Sequence, residues 1–70
     1  MKVQMYKEVR YEVANGLMEI EIINNSYELT YYNSIYKNSP FKLPTTFSTN
    51  FTIQDILASS EVLSFMSRFN

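Results

Sequence analysis

Between Val3 and Val13 the apolar residues Val3, Met5, Val9, Tyr11 and Val13 hold odd positions, while Lys2, Gln4, Glu8, Arg10 and Glu12 hold even ones. A two-residue period marks a half-buried strand, here over residues 2–13. Ala14-Asn15-Gly16-Leu17 follows, and Asn-Gly readily supplies the two positive φ values of a tight hairpin turn. A loop at Asn15 and Gly16 sets Val13 against Met18, Tyr11 against Ile20 and Val9 against Ile22, all apolar pairs. The second strand, 17–23, ends at Asn24-Asn25, which also tolerates left-handed backbone. A two-residue loop there sets Ile22 against Tyr27, Ile20 against Leu29 and Met18 against Tyr31, on a third strand over 26–32. Both turns place the same residues on one face, which predicts a three-stranded antiparallel meander.

Periodicity is lost over 33–51, which holds both prolines, Pro40 and Pro44, and the scattered Tyr36, Phe41, Leu43 and Phe47. So long a connection either carries function or packs down as a cover, and its aromatics are expected to close the rim of a small core. Residues 34–37 are a candidate fourth strand. A helix start is then marked by Thr52 as N-cap, Asp55 three residues on, and Phe51 placed to staple onto Ile56. Ile53, Ile56 and Leu57 form one apolar stripe, and Val62, Phe65, Met66 and Phe69 form another. On one continuous helix the stripes would face opposite ways. Ser59-Ser60 offers a fresh N-cap between them, so two short helices are expected, 53–58 and 60–68. The alternative is one helix whose second stripe is buried by another subunit.

The expected fold is α+β: a β-meander packed against one or two C-terminal helices in a single domain over 1–70. Its parts are the meander (1–32), an aromatic and proline-bearing loop (33–51) and a helical segment (52–69). The predicted core face is Val9, Tyr11, Val13, Met18, Ile20, Ile22, Tyr27, Leu29 and Tyr31, covered by Ile53, Ile56, Leu57, Val62, Phe65 and Met66.

Composition changes the picture by what it lacks. With no cysteine and no histidine in 70 residues, disulfide staples, thiolate chemistry, imidazole catalysis and the common zinc sites are excluded. The single glycine rules out a P-loop or dinucleotide fingerprint. No base stands at a recognisable spacing from any serine, so the serines read as caps, turns and surface. The chain is therefore expected to be non-enzymatic, with no catalytic residue, cofactor or metal. A domain this small depends on its six tyrosines and five phenylalanines, and on self-association if it forms. No signal peptide or membrane span is apparent, so a cytoplasmic protein that does not engage a membrane is expected.

Net charge is -1, so any electrostatic role must come from placement. The register above sets Glu12 opposite Glu19, Arg10 opposite Glu21 and Glu21 opposite Glu28, with Glu8 pointing the same way. Five glutamates thus share one sheet face. That face reads in three ways: a solvated surface, a carboxylate site for a cation or acid-base pair, or an acidic patch that docks on a basic protein. Flat sheets do not desolvate carboxylates, which weighs against the second.

The architecture is similar to that of small DNA-binding domains that lay a sheet in the major groove, but there the exposed face presents Lys and Arg. Glutamates here disfavour nucleic-acid binding through the sheet by sign. The alternative is weak single-strand binding by the loop carrying Tyr36, Lys37, Phe41 and Lys42. A composition rich in Asn, Ile, Tyr and Phe suits an AT-rich genome and a phage or mobile-element protein. The functional expectation is accordingly a small inhibitor whose Glu8, Glu12, Glu19, Glu21 and Glu28 bind a basic, nucleic-acid-handling host protein in the host cytoplasm. The long first strand, lying at a sheet edge, is expected to pair over residues 2–7 with another element such as 34–37, or with a second copy of the chain.

Overall fold

A computed structural model of the chain describes residues 8–36 and 38–69. The expectations for residues 2–7 and for Lys37 lie outside the described residues. Three strands, β1 (Glu8–Val13), β2 (Gly16–Ile23) and β3 (Ser26–Asn33), form an antiparallel meander. Two further short strands, β4 (Phe41–Lys42) and β5 (Phe47–Ser48), pair with the far edge of β3. Two helices, α1 (Ile53–Leu57) and α2 (Ser60–Ser67), complete the α+β fold.

The second hairpin has the predicted register, with Ile22 opposite Tyr27, Ile20 opposite Leu29 and Met18 opposite Tyr31. Asn24 and Asn25 both take positive φ, 52° and 63°, so two asparagines make this tight turn without a glycine. The first hairpin departs from expectation. Its loop is Ala14-Asn15, only Asn15 has positive φ (64°), and Val13 pairs with Gly16, Tyr11 with Met18 and Val9 with Ile20. The glycine is needed for a close approach instead: a Cβ at Gly16 would overlap the Tyr32 carbonyl oxygen on β3. A slip of two residues preserves side-chain parity, so every residue keeps its predicted face while its partner changes.

The fourth strand is Phe41–Lys42; residues 34–36, the described part of the expected 34–37 strand, are bends, which corrects that expectation there. Pairing β4 with β3 carries Leu43 into the core, where its N–H donates to the Leu29 carbonyl at 2.9 Å. Buried with it are Met18, Ile20, Leu29, Tyr31, Ile56, Val62 and Met66. Tyr11, Val13, Tyr27, Phe47, Ile53, Leu57, Phe65 and Phe69 pack around these. Val9 and Ile22, predicted for the core, are only half-buried and line a shallow groove with Tyr11, Ile20, Tyr27 and Ile53.

The helices break where the serines predicted. Thr52 caps α1 through the Asp55 N–H at 3.1 Å. The Ser59 hydroxyl accepts from the Val62 N–H at 3.4 Å and donates to the Ile56 carbonyl at 2.6 Å, tying the end of α1 to the start of α2. Each helix can then turn its own stripe to the sheet. Phe51 is 54% exposed, so the anticipated staple does not bury it.

Candidate functional site

With α1 and α2 packed on the face that carries Met18, Ile20, Leu29 and Tyr31, strand alternation turns the other face outward. Arg10 and Glu12 of β1, Leu17, Glu19 and Glu21 of β2, Glu28, Thr30 and Tyr32 of β3 and Lys42 of β4 occupy it. Glu12, Glu19, Glu21 and Glu28 thus share one face as predicted, and the backbone of Glu8 places that residue there too.

The shifted hairpin register changes their neighbours. Arg10 stands opposite Glu19 and Glu12 opposite Leu17, correcting the expected Glu12–Glu19 and Arg10–Glu21 pairs. Arg10 Nε donates to Glu19 Oε2 at 3.2 Å, and the Tyr32 hydroxyl donates to Glu19 Oε1 at 3.2 Å. Reached from both flanking strands, Glu19 is only 7% exposed, an unusual depth for a carboxylate on an open sheet. Charge-assisted hydrogen bonds offset the desolvation this imposes.

Glu21 has Glu8 opposite it on β1 and Glu28 opposite it on β3. Like charges so placed cost roughly 0.2–1 kcal/mol relative to neutral pairs. Lys42 supplies the compensation, its Nζ lying 2.8 Å from Glu28 Oε1. This hydrogen bond and the Glu28 charge, with a further contribution from Glu21, raise the Lys42 pKa above its ordinary value. Sequence reading missed this because Lys42 sits in an aperiodic stretch whose two strands are each only two residues long.

Where β1 and β2 turn, the face opens into a concavity of about 710 Å³ lined by Arg10, Glu12, Val13, Gly16, Leu17, Tyr32, Asn33 and Ser34. Leu17, 39% exposed, is the open-face apolar residue that lines this concavity, with Ile23 on the same face at the other end of β2. The rim is fixed from below: the Tyr31 hydroxyl donates to the Ala14 carbonyl at 2.8 Å and accepts from Asn33 Nδ2 at 3.2 Å. The Ser34 N–H also donates to the Asn15 carbonyl at 2.8 Å.

Of the alternative loop site, Tyr36 and Phe41 meet while Lys42 is turned away from them, and Lys37 lies outside the described residues. Phe41 and Lys42 are consecutive on a strand and leave by opposite faces. The Phe41 ring meets Phe69 and Tyr36 at centroid distances of 4.5 Å and 6.3 Å, whereas Lys42 reaches Glu28. Among the described residues no cluster of carboxylates has the arrangement of a metal site, and no helix is long and apolar enough to cross a membrane. No protein family, curated protein or solved structure matches the chain.

Proposed function

We propose that the open sheet face is a protein-binding surface and that the chain is a non-enzymatic module docking on a basic protein. The observation that carries this reading is the concavity lined in part by Leu17 and Tyr32 beside a carboxylate-bearing sheet. An apolar spot with a polar, charged margin is the usual anatomy of a protein interface. Among the described residues Glu21 makes no ion pair, so its charge is available to a cationic partner and would add steering and register more than affinity. Glu19 and Glu28 shape the surface while their charges are answered by Arg10 and Lys42. A basic surface that handles nucleic acid is the natural complement. In this reading the chain is an inhibitor that occludes such a surface in a host cytoplasm, in keeping with a phage or mobile-element source.

The test is affinity capture from host lysate with the native chain, Leu17→Ser and Glu21→Lys side by side, each checked for an unchanged melting temperature. A specific partner is retained by the native chain, released by salt, and lost or strongly weakened with both variants. Retention by both variants would sink the proposal. Binding of single-stranded oligonucleotides with a steep salt dependence would instead favour the loop of Tyr36, Lys37, Phe41 and Lys42.

A further inference from the structure

We propose that two copies of this chain associate through the free edge of β1, antiparallel and centred on Tyr11. In the sheet order β1 is terminal, and among the described residues no strand pairs with its outer side. A two-residue hairpin closes on a hydrogen-bonded pair, here Val13 and Gly16, so the main-chain groups of Val13, Tyr11 and Val9 turn toward β2. Those of Glu12, Arg10 and Glu8 then point outward. An unpaired edge of this kind is a template for another strand.

The side chains select both the occupant and the register. With a two-fold axis normal to the sheet at Tyr11, Arg10 of each copy falls opposite Glu12 of the other, and Val9 falls opposite Val13. Arg10 and Glu12 both turn their main-chain groups outward, so hydrogen-bond parity and charge agree in this alignment; centring on Val9 would also pair Arg10 with Glu8, but only by carrying the junction beyond the start of β1 at Glu8. Centring on Arg10 or on Glu12 would oppose that residue to itself, a like-charge pair. An alignment shifted by an odd number of residues would place the apolar face of one copy beside the polar face of the other. The Tyr11 alignment also continues the half-buried row of Val9, Tyr11 and Val13 across the junction and keeps every pair from Val9 to Val13 within β1. Glu12 is exposed and Arg10 uses Nε for Glu19, which leaves the outer nitrogens of its guanidinium for the partner copy's carboxylate.

The experiment is sedimentation of the full chain from micromolar to millimolar concentration, with Glu12→Arg as the variant. Glu12 is exposed and, among the described residues, makes no ion pair, so the variant is expected to fold as the native chain does. The two-fold axis counts the substitution twice, and the dimer is expected to weaken about tenfold or more. A disulfide test reads the register directly in a chain without cysteine. Val9→Cys mixed with Val13→Cys should give the mixed disulfide under mild oxidation and little of either homodisulfide, because facing positions on strands not joined by their own hydrogen bonds lie close enough to bridge. A native chain that stays monomeric at millimolar concentration, a dimer indifferent to Glu12→Arg, or homodisulfides in place of the mixed product would each overturn the proposal. None of these readouts involves the partner of the open face, so the two proposals fail separately.

Discussion

Glu19 illustrates how one side chain's environment depends on its cross-strand partner. On the predicted register it would face Glu12 and belong to an exposed acidic patch; two residues of slip give it Arg10 and bury it. Its face was legible from the two-residue period, but its partner was not, since parity survives an even slip. Glu19→Gln should therefore destabilise the domain by about 1.5–3 kcal/mol through the loss of charge-assisted bonding, with Glu12→Gln near zero by the same urea titration. Lys42 gives the second prediction at this scale. Its pKa is raised in the fold, so the folded state binds the proton more tightly than the unfolded chain does. That contribution is complete below the ordinary lysine value of 10.5 and is lost as pH climbs through the folded value. The stability difference between the native chain and Lys42→Gln should be level at neutral pH and, as pH rises, shrink only in the strongly alkaline range. A difference that vanishes near neutrality would contradict the assignment.

At the scale of elements, the two hairpins separate what local sequence can and cannot specify. Asn24-Asn25 turns as its residue types suggest, with both φ values positive. Asn15-Gly16 carries the stronger turn signal yet shifts by one residue, because Gly16 is constrained by β3, a strand far away in sequence. Tertiary contact outweighs turn propensity there, and no local reading contains that contact. Gly16→Ala should accordingly cost about 1–3 kcal/mol by forcing β2 away from the Tyr32 carbonyl, although Gly16 has no positive φ to lose. Were Gly16 holding a left-handed turn instead, D-alanine at this position would rescue the loss; at a site closed by backbone it should not. The helix break was legible because both of its causes are local: two apolar stripes out of phase, and a serine between them able to cap. β4 and Leu43 were illegible for the opposite reason, since a two-residue strand has no period and its burial is set wholly by β3.

Across the whole molecule, a single sheet and two short helices enclose a core one layer deep, so burial is sharply graded along each strand. Ile20 is 2% exposed at the middle of β2, under the helices, whereas Ile22, two residues further on the same face, only half-closes the groove beside Val9 and Ile53. Truncation at a fully buried site removes the transfer energy of the lost carbons and leaves a cavity, about 2–5 kcal/mol for isoleucine to alanine. A half-buried site beside an open groove lets water or a neighbour fill the space, and the cavity part largely disappears. Small domains without disulfide or metal sit at the low end of the usual stability of about 5–15 kcal/mol, so the larger loss approaches the whole of it. Ile20→Ala is therefore expected to leave much of the chain unfolded in the absence of denaturant. Ile22→Ala should still unfold cooperatively, at a lower urea midpoint and with an unchanged slope, the slope reporting the surface exposed on unfolding. Circular dichroism of both variants decides the matter: equal losses would mean that the helices do not cover β2 as the core arrangement requires.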